Sequence, residues 1–219
     1  MSLDLKQVFP FLNGIGKSGE GLAVIGDQGD QLVTNVHGKY YYAAKRNRLY
    51  VASSATGGIA LIVSATTGGH PTLWNPLGSG RTLSIRRLLL GYVSGNNAPG
   101  SLSWNITENA GSGPATGAVI PTAVKVPVVN AIAGGSVDSK SYWSPTTNTF
   151  TVAPVFYRPT NLSLLTGVAA TAVAPFTWGE EYDDDLQIAE GAALSLVSQQ
   201  ATTTALFRIT LIIEEHGDK

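Results

Sequence analysis

The end of the chain shows the clearest alternation of hydrophobic and polar side chains. Four large hydrophobic residues occupy every second position there: Phe207, Ile209, Leu211 and Ile213. Because successive side chains of a β-strand point to opposite faces, this period of two predicts a central strand with one buried face. Two shorter alternating segments, residues 186–188 and 194–196, precede it, and Glu190-Gly191 between them predicts a turn.

A second long strand with an irregular pattern follows the turn-forming sequence Asn75–Gly80. Its large apolar residues occupy odd positions up to Ile85 and even positions from Leu88 onward. A strand cannot change the parity of its buried side chains without an additional residue. The pattern therefore predicts a β-bulge at Arg86 or Arg87, where the strand bends and at least one arginine faces outward.

Short apolar segments elsewhere predict the remaining strands, separated by turns rich in Gly, Pro, Ser and Asn. These segments are Ile59–Val63, Leu102–Ile106, Val119–Val129, Phe150–Phe156 and Leu162–Leu165. Pro121 and Pro127 make the third segment an edge strand or a loop, because proline cannot donate to the hydrogen bonds of a sheet. The total is about eight or nine strands, with connections too short for the helical crossovers of a parallel sheet. We therefore predict an all-β fold, an antiparallel β-sandwich of the jelly-roll type.

Residues 1–58 lack a sustained period and differ in composition from the rest of the chain. They contain the glycine-rich stretch Gly14–Gly29 and the aromatic run Tyr40–Tyr42. We interpret residues 1–58 as an extended N-terminal arm with short elements, one of them a helix or irregular strand near residues 39–50. The β-sandwich domain is predicted to span residues 59–215.

Charged residues make up only 13% of the 219-residue chain, about half of the usual share. Such a charge-poor chain indicates a surface that other subunits cover, although a free-standing β domain with a Ser/Thr-rich surface is the alternative. The formal net charge of −1 and the lack of clustered basic residues argue against a nucleic-acid partner. The short basic cluster Lys45–Arg48 is interpreted as a solvated turn or a subunit contact.

The chain contains no cysteine, which excludes disulfides and thiolate metal sites. Its longest apolar runs, such as Ile59–Val63, are far too short to cross a bilayer, and we expect no membrane partner. Residues 1–16 lack a basic segment followed by a sustained apolar core. We therefore expect no signal peptide, and synthesis in the cytosol.

Two candidate ligand motifs have stronger structural interpretations. Gly14–Gly19 is similar to part of a phosphate-binding loop, but Phe11 stands where that motif requires its first glycine, so a flexible turn is predicted. The acidic run Glu180–Asp185 has carboxylates that suit Ca²⁺ but lacks the spacing of a calcium-binding loop. It is predicted to be a solvated loop, and a salt bridge to a neighbouring subunit is the intermediate possibility.

The three histidines, His37, His70 and His216, are scattered along the chain without metal-binding spacing. His70 is predicted to be a loop residue and His216 part of a frayed tail. No serine lies in a nucleophile-elbow motif, so a Ser-His-Asp triad would have to arise from residues distant in sequence. We therefore predict no catalytic residues, no cofactor, no metal and no enzymatic activity.

The four tryptophans, Trp74, Trp104, Trp143 and Trp178, are predicted to lie at strand ends or in loops. There they would plug the ends of the sandwich or contact other subunits, since tryptophan is enriched at such contacts. Aromatic side chains in loops can also stack on sugars, and Trp143 is the residue selected for that alternative.

Three stretches of the sequence resemble structural proteins of tailed-bacteriophage virions. They are His37–Tyr41, LWNPLGSGRTLSIRRLLL at residues 73–90, and LQIAEGAALSLVSQQATTTALFRITLIIEE at residues 186–215. The shared features are an Asn-Pro-x-Gly-Ser-Gly turn before a long strand and a Glu-Gly-x-x-Leu-Ser turn before the last strands. The resemblance covers residues 35–215 and implies an N-terminal arm followed by a β-sandwich, with no active-site residues to transfer.

The resemblance implies a component of the virion that is made in the host cytoplasm, such as a capsid-decorating (cement) protein, a head fibre or a tail-associated protein. We expect a non-enzymatic decoration protein that binds the major capsid protein or other virion proteins. We also expect it to form a homo-oligomer, a trimer, because oligomers of closed symmetry are common. The alternative is a receptor- or carbohydrate-binding β-sandwich of a fibre or tail, with the loop tryptophans and the acidic loop as binding groups.

Overall fold

The computed structural model describes most of the chain from residue 39 onward. The described residues are 24–25, 31–32, 39–63, 66–95, 100–107, 118–119, 126–135, 138–146, 148–150, 152–164, 177–200 and 205–217. Most of the predicted arm, including Gly14–Gly19 and His37, lies outside them. The chain divides into two compact units, Met1–Tyr41 and Tyr42–Lys219. In the first unit, β1 (Val24–Ile25) and β2 (Gln31–Leu32) form an antiparallel pair.

The rest of the described chain is almost entirely β-structure. The helix α1 spans only Tyr41–Lys45, and no helix in the described part of the chain is long and apolar enough to cross a membrane. Nine strands have three or more residues: β3 (Leu49–Ser53), β5 (Thr72–Trp74), β6 (Arg81–Ser94), β7 (Gly100–Thr107), β11 (Tyr142–Ser144), β13 (Val155–Leu164), β14 (Thr177–Glu181), β16 (Ala193–Ser198) and β17 (Leu206–Gly217). Six shorter strands complete this part of the chain: β4 (Ile59–Ala60), β8 (Ala118–Val119), β9 (Val126–Pro127), β10 (Val129–Asn130), β12 (Thr149–Phe150) and β15 (Gln187–Ile188).

These strands form two main antiparallel sheets. Sheet one has the order β10-β3-β17-β6-β14, with β4 added to β17 and β15 added to β6. Sheet two has the order β13-β7-β16-β5-β11-β9, and β8 and β12 form a separate pair. The predicted all-β antiparallel sandwich is confirmed, whereas the jelly-roll connectivity stays a prediction.

Apolar side chains from the two sheets form one core. Sheet one contributes the alternating residues of its central strand, and Phe207, Ile209, Leu211 and Ile213 are all 0% exposed, as predicted. Sheet two contributes Leu73, Leu102, Trp104, Trp143, Leu194 and Leu196. Burial of each such side chain stabilises the fold by about 1.5–3 kcal/mol, so this core is the main source of stability.

The long strands β6 and β17 pair along their whole length, and the predicted bulge lies between them. Ile212 is opposite Arg87, but the next residue, Ile213, is opposite Ile85, so Arg86 is the additional residue on β6. This register shift moves the buried side chains of β6 from odd to even positions. The structure therefore confirms the bulge that the sequence pattern predicts, at the first of the two arginines.

One side of the sandwich is closed where the chain passes from one sheet to the other. β9 is the last strand of sheet two and β10 the last strand of sheet one, and only Val128, which is buried, separates them. Residues 126–130 therefore lie at sheet edges, as Pro127 predicts.

Two predicted boundaries are wrong. β3 begins at Leu49 and pairs with β17, so the sandwich includes part of the predicted arm and begins before residue 59. The predicted strand Phe150–Phe156 does not exist as one element, because Phe150 ends β12 and Val155 begins β13. The strand predicted at residues 162–165 is the far end of the same β13, which reaches Leu164.

A Phe207→Ala substitution tests the position of β17 at the centre of the core. We expect it to lower the free energy of unfolding by about 3–5 kcal/mol, because a large aromatic side chain leaves a cavity there. Phe156→Ala is the matched control, since Phe156 is 54% exposed. Urea denaturation of both variants measures the difference, and equal losses would show that the core assignment is wrong.

Candidate functional site

The two turns that carry the resemblance meet at one end of the sandwich. The carboxylate of Glu190 accepts hydrogen bonds from the backbone N–H groups of Gly78 and Gly80. Both glycines have positive φ angles, 81° and 60°, which other residues rarely adopt. Asn75 joins the turns further, donating from Nδ2 to the carbonyl of Ile188 at 3.1 Å. The glycine-rich turn therefore holds a carboxylate of its own chain, and this structural contact accounts for its sequence.

A group of charged residues surrounds the bulge on the outer face of sheet one. The Arg86 guanidinium contacts two carboxylates, that of Glu214 with Nε–Oε2 at 2.9 Å and that of Asp184. Arg48 contacts the other oxygen of Glu214 at 3.0 Å. Burial alone would lower the pKa of Arg86, but the hydrogen bonds to Glu214 and Asp184 outweigh this effect and raise it. The buried carboxylate of Glu214 is thus neutralised by two arginines.

Ser84, His216 and Glu214 come together beside this group and have the order of a Ser-His-acid triad. His216 Nε2 lies 3.1 Å from Ser84 Oγ, and His216 Nδ1 lies 3.8 Å from Glu214 Oε1. An open depression lined by Thr82, Asp184, Gln187 and His216 lies at this site. Among the described residues, this is the arrangement that most resembles a catalytic site.

The arrangement does not meet the requirements for nucleophilic catalysis. Ser84 is 0% exposed and lies within β6, with Glu214 and Gln187 opposite it on the two neighbouring strands. The His216–Glu214 distance exceeds the roughly 2.6–3.2 Å of a hydrogen bond that would orient the imidazole. A carboxylate already paired with two arginines is also a weak partner for a histidine. We interpret the three residues as a cross-strand contact that covers the end of β17.

The prediction of a frayed tail at His216 is wrong, because His216 belongs to β17 and pairs with Thr82 of β6.

Glu215, the residue after Glu214 in β17, is also buried and binds the segment that precedes β11. Its carboxylate accepts hydrogen bonds from Ser139 Oγ at 2.6 Å and Ser141 Oγ at 2.8 Å. Two adjacent glutamates therefore fix the end of β17 through different groups of donors.

His70 lies in a loop, as predicted, but it is completely buried. Its Nε2 donates to the carbonyl of Thr66 at 2.7 Å, and its Nδ1 has no hydrogen-bond partner among the described residues. Burial lowers the pKa of His70 and outweighs the opposing effect of the Thr66 hydrogen bond. Burial therefore disfavours the charged form of this imidazole.

Polar side chains beside His70 form a buried layer on sheet two. Thr72 Oγ1 and Ser195 Oγ are 2.7 Å apart on adjacent strands, and Asn148 Nδ2 donates to Thr72 Oγ1 at 2.8 Å. Asn148 Oδ1 also accepts the backbone N–H of His70 at 3.1 Å. These bonds satisfy the hydroxyl group of Ser195, so a polar side chain is tolerated in β16, all of whose residues are buried.

The acidic run at residues 180–185 is not a solvated loop throughout. Glu180 and Tyr182 are buried, and the Glu180 carboxylate accepts the backbone N–H of Asn161 at 3.2 Å. The Tyr182 hydroxyl accepts a hydrogen bond from Trp104 Nε1 at 2.9 Å. Burial raises the pKa of Tyr182, although the Trp104 hydrogen bond opposes this. The two residues attach the run to sheet two.

Exposed residues of the same run form salt bridges with arginines of the same chain. Asp184 contacts Arg86, and Asp185 contacts Arg158 at 2.6 Å. Arg158 also lies over the Tyr182 ring, 5.5 Å from its centroid. In the part of the chain that the structure describes, no three His, Asp or Glu side chains are placed to hold a metal ion together.

Trp104 and Trp143 do not lie at strand ends or in loops, so their predicted positions are wrong. Trp104 and Trp143 lie in the middle of β7 and β11, and both are 0% exposed in the core. Trp178 lies within β14 and packs partly against the core, and only Trp74 ends a strand. Trp143 cannot stack on a sugar, because no part of it reaches the surface.

Four exposed large apolar side chains lie close together along the chain in a short segment at the start of β13. Val155, Phe156 and Tyr157 are 66%, 54% and 46% exposed, and Val152 just before them is also exposed. We name Val152–Tyr157 the edge strip, because β13 is the last strand of sheet two. The sequence indicated part of this segment as a strand, but no pattern showed that its side chains are exposed.

Comparisons with protein families, with curated proteins and with solved structures gave no match. The functional interpretation of this chain therefore depends on its residues and geometry, together with the resemblance of its turn motifs.

Replacing Arg86 by methionine tests the charged group at the bulge. We expect a loss of roughly 2–3 kcal/mol of unfolding free energy, less than the 3–5 kcal/mol of a completely broken buried pair, because Arg48 still contacts Glu214. Arg87→Met is the matched control, since the Arg87–Glu181 pair is 3.9 Å long and exposed on both sides. Chemical denaturation of both variants should separate them, and indistinguishable stabilities would refute the role assigned to Arg86.

The burial of His70 predicts a pH dependence of stability. The pKa of His70 is lowered on folding, so the unfolded chain binds the proton first when the pH falls below the ordinary histidine pKa of about 6.5. The stability is therefore complete above that pH and decreases as the pH falls toward the lowered pKa. We expect the melting temperature between pH 8 and pH 5 to fall less in His70→Gln than in the unmodified chain. A fall in the melting temperature of His70→Gln that equals or exceeds the fall in the unmodified chain would contradict this assignment.

Proposed function

We propose that this chain is a non-enzymatic structural protein of a tailed-bacteriophage virion, a capsid-decorating protein that acts through protein–protein contacts. The observation that carries the proposal is the edge strip, an exposed apolar segment at the edge of a β-sandwich with few charges. Natural edge strands usually carry charged residues or other features that prevent association. Exposed aromatic side chains at this position instead favour a surface that another protein covers.

The internal use of charge supports an assembly role. Arg48, Arg86 and Arg158 each contact a carboxylate of the same chain. These three arginines therefore serve the stability of the sandwich rather than the binding of an ionic ligand. The turn motifs that resemble those of virion proteins also have a structural role, because Glu190 of one turn accepts hydrogen bonds from the glycine-rich turn of the other.

The geometry gives less support to an enzyme and to carbohydrate binding. A hydrolase would need an accessible nucleophile, and Ser84 is buried within a strand. The carbohydrate-binding alternative depends on the loop tryptophans, among which Trp143 is the selected residue, and on the acidic loop. Trp143 is in the core, and Asp184 and Asp185 of the loop are paired with arginines of the same chain.

Binding to capsids is the experiment that tests this proposal. Capsids are purified from the phage that encodes the sequence, without this protein, and incubated with the recombinant full-length chain. We expect the chain to sediment with the particles at a fixed number of copies per capsid. We also expect a variant lacking residues 1–30 to bind less, while its melting temperature stays nearly unchanged, because the predicted arm adds contacts outside the sandwich.

Failure of the full-length chain to sediment with capsids at micromolar concentration would count against the decoration role. A truncated variant that binds as well as the full-length chain would show that residues 1–30 are not needed for the contact. Saturable binding to a glycan instead, with no binding to capsids, would favour the alternative function.

A further inference from the structure

Residues 66–70 and residues 148–150 lie side by side next to sheet two, and we name them together the clasp. The two segments are antiparallel at one isolated bridge, between Gly68 and Thr149. A Cβ on Gly68 would lie only 2.7 Å from the carbonyl oxygen of Asn148, so the two backbones touch there. Two backbone hydrogen bonds also join the segments, from Gly69 N–H to Asn148 O at 3.1 Å and from Phe150 N–H to Thr67 O at 2.7 Å.

The side chain of Asn148 holds His70 from the opposite segment. Its Oδ1 accepts the backbone N–H of His70 at 3.1 Å, and its Nδ2 donates to the His70 carbonyl. The ring of Phe150 lies beside the imidazole, with centroids 6.0 Å apart. Phe150 is buried but lies outside the core that the two sheets form. The clasp is therefore a small separate unit, whose opening does not require the core to unpack.

The imidazole of His70 is the group in the clasp that acid changes. Its Nε2 donates to the carbonyl of Thr66 at 2.7 Å, so a second proton would bind Nδ1. That atom is buried and has no hydrogen-bond partner among the described residues. Protonation would therefore create a buried charge and a buried N–H donor without an acceptor, and both are unfavourable.

The side chains that contact His70 in the described part of the chain are all uncharged. They are Thr66 on its own segment, Asn148 and Phe150 on the other segment, and Thr72 of β5, which donates to the His70 carbonyl at 3.0 Å. Burial is the largest effect on the pKa of His70, and it lowers that pKa. In an open clasp the imidazole would be in water, with the ordinary pKa of about 6.5, so acid favours the open form.

We propose that the clasp is acid-sensitive and opens locally when His70 takes up a proton, while the two sheets stay folded. Opening breaks the hydrogen bonds of Asn148 and exposes Phe150 together with the hydroxyl group of Thr72. The closed form is fully favoured above pH 6.5 and weakens as the pH falls toward the lowered pKa of His70. This device belongs to the fold and does not depend on the proposed function.

Hydrogen exchange of single amides, measured by NMR and corrected for the intrinsic effect of pH, tests this proposal. The reporters are the N–H groups of Gly69, His70 and Phe150, whose acceptors all lie across the clasp. We expect their protection to fall by up to about tenfold for each pH unit below pH 6.5. Local opening exposes little surface, so their exchange should be almost independent of low urea concentrations. The amides of β17 should exchange more slowly and with the full urea dependence of global unfolding.

Two variants separate the effect of the proton from the effect of packing. His70→Gln keeps a donor for the Thr66 carbonyl but gains no charge, so the three reporters should lose their pH dependence. Phe150→Leu is the control, because it weakens packing but keeps His70. It should raise the exchange of the reporters by the same factor at every pH. If His70→Gln does not fold, the imidazole signals of His70 in the unmodified chain give the second readout, and they should titrate below pH 6.5.

Four results would overturn the proposal. They are reporter protection that does not change with pH, reporters with the same urea dependence as β17, a folded His70→Gln variant that keeps the pH dependence, and a His70 imidazole that titrates at or above pH 6.5. None of these measurements involves a capsid, so this proposal and the decoration role can fail separately.

Discussion

The antiparallel pairing of β6 with β17 is the constraint on which the rest of sheet one depends. The two strands share twelve residue pairs, from Leu206–Ser94 to Gly217–Arg81. β3 and β4 add to β17, while β14 and β15 add to β6. A slip of one residue would turn the whole buried face of β17 to solvent, so its apolar alternation fixes the register of the sheet.

The bulge at Arg86 reconciles two strands whose apolar patterns differ. β17 alternates without interruption through Ile213, whereas β6 changes parity after Ile85. Without an additional residue, one half of β6 would place leucines outside and polar residues inside. The bulge restores the match and sets the Arg86 guanidinium beside Glu214. A buried carboxylate is costly unless it is paired and hydrogen-bonded, so the same irregularity makes the charge of Glu214 tolerable.

The sequence predicted those features that appear as a period along one strand. The buried face of β17, the bulge and the edge position of Pro127 all follow from local patterns. It could not predict which distant residues meet, because periodicity reports the faces of a strand and not its neighbours. Ser84 and His216 are adjacent only through strand pairing. Glu214, a charged residue directly after an apolar alternation, was the one signal of this group available in the sequence.

Short segments also led to wrong predictions of secondary structure. Trp143 lies in the middle of a strand of three residues, which is too short to show a period, so it was predicted at a strand end or in a loop. The opposite error occurred at Phe150–Phe156, where apolar composition suggested a strand. Pro154 interrupts that segment, and its carbonyl accepts a hydrogen bond from buried Asn105. In both cases the tertiary contact, and not local propensity, decides the conformation.

The features of β13 also explain how an exposed apolar edge is compatible with a specific assembly. An edge strand with free backbone groups and aromatic side chains is a hazard, because any other strand can add to it. Here the bulge at Tyr157 and the proline at position 159 limit the length over which a strand can pair. The side chains remain available while extended backbone pairing is restricted. Under the proposed assembly role, such a surface selects its partner by the shape of a few side chains, and this selectivity separates assembly from aggregation.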